Sequence, residues 1–430
     1  MPYLFLLYFV LYFILTWRNF KGAIGLFIFI LPFAYLIRFE AHGLPSTVLE
    51  LSFWAIFLVW ILKYFTEDAA GLFRLIRDNK VLGFFFFLLF VGSTIGVFVS
   101  DEWFKSVGHW RAFLLEPAIF YFILLGRRQA ISGRDLTIFL GFSTFSVSIL
   151  AILQKFSFCF YPPKLLNEEV FGRVTSFFTS PNAVGLYLVP IFLLAVTTAR
   201  SLKKWQVKYL ELFIALNLAA IFFTFSQGSW VALAVGLSSF IFLLGYKKLV
   251  ALAVVAGIII TAFVAPLRHA LLFQDTAGQN RLTIWKYTTE YLTESPHNFL
   301  FGTGVRQWFR KVQKPHYFSE DNNLERLTFP HNVFLNFWTE FGLIGLIGFL
   351  GIMYFMFSFS FSIYKYQDRI FGAGLFSVWL AYMVHGLVDV PFFKNDLAFL
   401  FSILAVITSY YHYLFIGYNK GRNHYPTEVR

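Results

Sequence analysis

Charge is what this sequence has little of. Only 13% of its 430 residues are Asp, Glu, Lys or Arg, where a soluble domain carries about a quarter. A chain this poor in charge cannot cover a water-facing surface, so a soluble globular domain is excluded. Cysteine is almost absent too. The single Cys159 excludes an intramolecular disulfide framework and a cysteine-built metal site. The short apolar/polar alternation of a β-barrel is missing, because the apolar runs are continuous. There is no P-loop: FGTG (301–304) has the glycine spacing but no Lys-Ser/Thr after it, and reads as a turn. No His/Asp/Glu grouping has zinc spacing.

What is present in excess is apolar and aromatic. Hydrophobic residues make up 58% of the chain, aromatics 22%, with 60 Phe, and apolar runs of membrane-spanning length recur throughout. The fold class expected is an all-α polytopic membrane protein with 12 or 13 spans. The segments are 2–16, 22–37, 48–63, 81–100, 111–126, 135–156, 182–199, 208–225, 229–245, 248–265, 333–360, 370–388 and 396–416, with the first two the least secure. The N-terminal MPYLFLLYFVLYFILTW has neither a basic leader nor a small-residue cleavage site, and reads as a retained span.

The net charge of +12 would suggest nucleic acid in a soluble protein. Here it sorts by loop instead, and no nucleic-acid partner is expected. One set of alternate loops holds twenty basic residues, among them Arg18, Lys63, Arg127, Lys208, Lys247 and Arg369. The other set holds fifteen, eight of them in the long loop 266–332. Long loops are discounted in the positive-inside rule, which makes the first set cytoplasmic. Loops 101–110, 157–181 and 266–332 and the turn Ser226-Gln227-Gly228 then face outward.

Chemistry is most plausible on that outer face. The long loop holds GQNRLTIWKYTTEYL (278–292), whose Leu282, Trp285, Thr289 and Leu292 share one side of an expected amphipathic helix. Next come the turn SPHNFLFGTGVRQW (295–308) and the polar stretch SEDNNLER (319–326). An ordered loop of this size argues for a functional cap. At its end Pro330-His331-Asn332 opens an apolar helix. A helix N-terminus disfavours imidazolium, so His331 there suits a general base; the plainer reading is a helix start capped by Asn332.

Arginine is the usual partner of phosphate oxygens, and the outer loops offer Arg173, Arg281, Arg306, Arg310 and Arg326. Arg173 and Arg281 each stand at the entry to an apolar segment, while Arg310 and Arg326 read as solvated loop charges. Asp101-Glu102 is the best candidate for a divalent ion, though such pairs are ordinarily solvated helix ends. Glu116 and His385 fall inside expected spans, where ionisable groups pair or line a cavity. Arg111, five residues before Glu116, is slightly too far for an ideal α-helical pair.

In order along the chain, GRVTSFFTSPNAVGLYLVP (172–190), TFSQGSWVAL (224–233), GQNRLTIW (278–285), NFLFGTG (298–304), PHNVFLNFWTEFGLIGL (330–346) and HGLVDVPFF (385–393) resemble the O-antigen ligase and polymerase superfamily of membrane glycosyltransferases. The resemblance divides the chain into an N-terminal bundle (1–170), a ligase-like region (171–416) and a cytoplasmic tail (417–430). It implies a multi-pass protein of a bacterial cytoplasmic membrane with its catalytic loop outside. It also implies transfer of a glycan from an undecaprenyl-pyrophosphate-linked donor to an acceptor hydroxyl, on another glycan, a lipid A-core or a protein. His331 matches the family's base and Arg281 its pyrophosphate-binding arginine; Arg173, Arg306, Asn182 and Asn332 are further substrate-binding candidates. A second family arginine is replaced by Gln227, which can donate a hydrogen bond but carries no charge. The transfer so implied is inverting and needs neither cofactor nor metal. The polymerase reaction would use the same site. A metal-dependent transferase using Asp101 and Glu102, or a transporter without chemistry, are the rival classes.

Overall fold

The computed structural model describes residues 2–33, 47–156, 172–198, 204–316 and 326–419. Cys159, the polar stretch 319–325 and residues 420–430 of the tail lie outside them. Among the described residues the regular elements are helical. In chain order they are α1 (Pro2–Arg18), α2 (Phe20–Ile30), α3 (Val48–Lys63), α4 (Phe65–Asp78), α5 (Lys80–Phe98), α6 (Trp103–Trp110), α7 (Glu116–Gly126), α8 (Gly133–Lys155), α9 (Pro181–Thr198) and α10 (Lys204–Phe223). There follow α11 (Gln227–Leu243), α12 (Lys247–Phe263), α13 (Ala265–Leu271), α14 (Thr276–Thr293), α15 (Pro296–Phe301), α16 (Lys314–His316), α17 (Val333–Tyr366), α18 (Arg369–Gly386) and α19 (Asn395–Asn419).

All thirteen segments expected to span are helical where described, and the protein is an all-α polytopic membrane protein. By length and apolarity alone α5, α8, α9 and α17 can each cross a bilayer, while α1, α2 and α11 are shorter apolar helices. The bent pair α3–α4 would make a fifth crossing, but turns by 95° at Tyr64. The sequence explains the bend. α3 is apolar throughout, whereas α4 (FTEDAAGLFRLIRD) alternates charged and apolar positions at helical spacing, the pattern of a helix lying along the membrane surface. α9 is apolar on every side, and accordingly it is buried on nearly every side.

The contacts between loops fall into two ends. At one, Lys21 pairs with Asp135 at 2.7 Å, Lys63 donates to the Trp17 carbonyl, Arg127 reaches Glu67 and Asp68, and Arg369 reaches the Leu243 carbonyl. At the other, Ser106 donates to the Val305 carbonyl, Arg173 to that of Thr224, Lys311 to that of Val99, and Asn332 to that of Leu387. These are the same two sets into which the basic residues sort.

The packing of α5 against α17 is the most extensive between any two helices. It is possible because glycine faces glycine. A methyl group added at Gly92 would collide with the backbone of Gly345, and one at Gly348 with the backbone of Leu89. In a bilayer, where no hydrophobic effect drives helices together, such close backbone approach supplies the dispersion energy of association.

α17 departs from the expected continuous span 333–360. Gly342 has φ 66° and ψ −178°, a backbone that only glycine adopts without strain, so the element is a nine-residue helix, 333–341, followed by a long one from 343. Such a break leaves the carbonyls of the preceding turn without donors. The FGTG turn fills the need: the Thr303 and Gly304 amides and the Thr303 hydroxyl all donate to the Thr339 carbonyl, at 2.8, 3.2 and 3.0 Å. Gly348→Leu would force α5 and α17 apart. We expect it to destabilise the protein by about 1–3 kcal/mol, read as a lower unfolding midpoint in detergent, whereas Ile347→Leu, at an exposed position, should leave the midpoint unchanged.

Candidate active site

The second of these two ends gathers most of the residues singled out in the sequence. His331 follows Pro330 and has φ 47°, a left-handed conformation unusual for a side-chain-bearing residue. It is one of five non-glycine residues at positive φ among those described, with Ser176, Phe225, Phe273 and Arg306, and all five belong to this end. Strain of roughly 1–3 kcal/mol per residue persists only where surroundings enforce it. At His331 they do so from both sides. Trp285 of α14 donates its indole N–H to the Pro330 carbonyl at 3.0 Å, and Asn332 caps α17 by accepting from the Phe334 and Leu335 amides.

Asn332 also donates to the Leu387 carbonyl at 3.0 Å, so both ends of its amide serve the fold. That strut brings the loop after α18 against His331. There Asp389, a residue sequence reasoning missed, places Oδ1 3.4 Å from His331 Nδ1. Its signal was available: a lone carboxylate in the apolar run HGLVDVPFF is costly unless paired. Burial alone would raise the Asp389 carboxyl, but the bond and charge of His331, with Lys394 and His385 nearby, hold it well below the usual carboxylate range. An aspartate on Nδ1 orients the imidazole and leaves Nε2 free to take a proton.

Arg281 is reached from the other side. Asp275 caps α14 through the Gly278 amide, and Arg281 lies one turn before Trp285, on the same face. It stands within electrostatic reach of both Arg173 and His385. The buried side of α14 is not the expected Leu282–Trp285–Thr289–Leu292 face. It runs through Ile284, Thr288 and Leu292, because buried Trp308 packs on Ile284 and donates to the Thr288 hydroxyl at 2.9 Å; Leu282 is left exposed.

Arg173 sits in a segment that crosses the end of α10. Gln154 of α8 pins this segment by accepting from the Thr175 and Ser176 amides and donating to the Ser176 carbonyl. Arg173 Nε donates to the Thr224 carbonyl at 2.8 Å and its terminal nitrogen to Asn182 Oδ1 at 3.3 Å. Burial, reinforced by the charge of Arg281, shifts its guanidinium downward. Gln227 begins α11 three residues beyond Thr224, its side chain exposed. His385 is buried in the slot between the α9 and α11 ends: a methyl group at Gly228 would lie 3.2 Å from its ring, and one at Gly185 3.6 Å.

Arg306 goes elsewhere. Its amide donates to the buried Glu340 carboxylate at 2.9 Å, and its charge acts on Glu102, His109 and Glu340. Asp101 and Glu102 turn to separate cations, Asp101 to Lys311 at 3.5 Å and Glu102 to Lys105 and Arg310 at 2.7 and 3.6 Å. Among the described residues no three potential ligands come together as a metal site. Arg326 lies over the Phe309 ring, 4.2 Å from its centre.

Glu116 does find its partner in Arg111. Residues 111–115 form one π-helical turn, and the wider turn brings positions five apart onto one face. Pro117 follows, with no amide to bond back into the preceding turn. Arg111 also pairs with Glu50 at 2.7 Å, and Trp54 donates to Glu116 at 3.1 Å.

These residues place a histidine–aspartate pair and two arginines at one end of a polytopic helical protein. An O-antigen ligase family model matches residues 212–350, about a third of the chain, and to that extent the chain is similar to O-antigen ligases. No curated protein matches the chain. The matched stretch contains Gln227, Arg281, Arg306, His331 and Asn332, while Arg173, Asn182, His385 and Asp389 lie outside it. It supports glycan transfer of the ligase or polymerase kind.

Asp389 contributes stability while ionised. Its carboxyl is depressed in the folded state, so that contribution is present above the ordinary carboxylate pKa of about 4 and is lost as pH falls below it. We expect the unfolding midpoint of the wild type to drop on acidification through about pH 4 and that of Asp389→Asn to drop less. Equal slopes would show that His331 does not hold the carboxylate.

Proposed function

We propose that this protein transfers a glycan from an undecaprenyl-pyrophosphate-linked donor to an acceptor hydroxyl at the outer face of a bacterial cytoplasmic membrane. The observation that carries the reading is the His331–Asp389 pair at the end of the molecule where Arg281 and Arg173 lie within electrostatic reach of each other. His331 Nε2 takes the proton of the acceptor hydroxyl, and the oxygen attacks the anomeric carbon. The bond from that carbon to the pyrophosphate oxygen breaks with inversion, and the electron pair leaves with undecaprenyl pyrophosphate. Arg281 stabilises the departing charge by a preorganised field. Because the arginines meet this charge, the reaction needs no divalent ion.

In this reading Arg173 makes up for the departure at Gln227. The turn that lacks the family's arginine has the Arg173 guanidinium docked on its Thr224 carbonyl, so a neighbouring loop returns a positive charge to that place. Arg306, whose amide is held by Glu340 and whose charge acts on Glu102, is assigned no role at the pyrophosphate in this reading.

In proteoliposomes with undecaprenyl-pyrophosphate oligosaccharide, we expect product by mass spectrometry when a lipid A-core acceptor is added. His331→Ala and Arg281→Ala should each reduce the rate by about a hundredfold or more without loss of folded protein. Normal turnover in Arg281→Ala would sink the assignment. Lengthened donor formed without acceptor would make the enzyme a polymerase, and movement of intact donor without product a transporter. Arg173→Ala should also be impaired, and Gln227→Arg in that background should restore transfer; failure of this rescue would remove Arg173 from the site.

A further inference from the structure

α5, α7, α17 and α19 enclose a cavity of about 270 Å³ that none of the chemistry above uses. Phe86 and Phe90 of α5, Leu114 of the π turn, Tyr121 of α7, Ile352 of α17 and Ala405 of α19 form its walls. Nearly every lining group is apolar. Ser402 is the one hydroxyl-bearing aliphatic among them, and it is already committed, donating to the Pro117 carbonyl at 2.8 Å. A water molecule needs two to four polar partners and would find none free here, so the natural occupant is a hydrocarbon chain.

Position and shape narrow the choice. The wall formed by the π turn and α7 runs from Leu114 to Phe122, eight steps or roughly 12 Å of helix rise, downward from the end of the molecule that carries His331. Phe87 and Phe90 are 60% and 45% exposed, which leaves the α5 side open to the bilayer. At the top the lining includes Phe392, three residues beyond Asp389 and 5.3 Å ring to ring from Phe337 in the short helix that His331 precedes. The groove therefore begins against the segment that holds the catalytic pair. Its aromatic walls, with Phe86, Phe90, Phe392 and Phe401 among them, suit the flat, methyl-branched double bonds of an isoprenoid.

We propose that this groove holds the first isoprene units of the donor's polyprenyl chain, fixing the depth at which the pyrophosphate meets the arginines. The assignment rests on the donor named under the proposed function. The test uses a diazirine-bearing polyprenyl monophosphate in nanodiscs of phosphatidylethanolamine and phosphatidylglycerol, with the labelled peptides mapped after irradiation. Labelling is expected within 86–90, 114–122 and 401–405, and should be competed by undecaprenyl phosphate but not by added phosphatidylglycerol. Ala405→Trp, which fills the groove, should cut labelling by about tenfold, a change of roughly 1.4 kcal/mol. Ala118→Phe on the opposite wall gives the same reading if the first variant folds poorly. Labels on other helices, unchanged labelling in both variants, or equal competition by phosphatidylglycerol would overturn the proposal. Labelling requires no turnover. Groove labelling without transfer would refute the proposed reaction alone, and transfer with labels elsewhere would refute the groove alone.

Discussion

The end of the molecule that carries His331 is organised around the place where α17 stops being one helix. In hydrocarbon every backbone donor and acceptor must be satisfied within the protein, so a break at Gly342 is tolerable only where other backbone comes to meet it. The 299–304 turn does so. It delivers two amides and a hydroxyl to the Thr339 carbonyl, while Trp338 donates back to the Phe299 carbonyl at 2.7 Å. The short helix 333–341 thus gains two fixed ends. One presents His331, and the other presents Glu340, whose carboxylate holds the amide of Arg306.

The same accounting governs charge. Within the bundle the ionisable groups come as sets: Glu50, Arg111 and Glu116 around Trp54, and Asp68 shared between Arg127 and Trp60. A lone buried charge would be prohibitively costly, and each of these is joined by hydrogen bonds. The pair Arg173 and Arg281 is different. Like charges placed in reach of each other raise one another's energy, an arrangement that favours an anion between them. The cost of assembling that face is carried by the scaffold, through Gln154, Trp285 and the cap at Asn332.

Much of this was legible in the sequence because it rests on local signals. Apolar run length marked the helices, and loop charge separated the two ends. Pro-His-Asn announced a capped helix start with a histidine at its mouth. The π turn at 111–115 was hidden, since α-helical spacing makes Arg111 and Glu116 miss each other. The buried face of α14 was misread by one position, because Trp308, fifteen residues beyond its end, decides which side is covered. Asp389 went unnoticed for a similar reason: it acquires meaning only beside His331, 58 residues earlier.

By itself, then, the amino-acid order determined the class of protein, the helices and the chemical kinds of side chain available at the outer face. Those follow from hydropathy, spacing and charge, which are properties of neighbours along the chain. Only the tertiary structure decided which arginine comes within electrostatic reach of Arg281, which carboxylate lies against His331, and that the amide of Arg306 is held by Glu340. Each of those choices is a meeting between segments far apart in sequence, set by the close glycine packing of α5 on α17 and by the backbone groups that the break at Gly342 left to be satisfied.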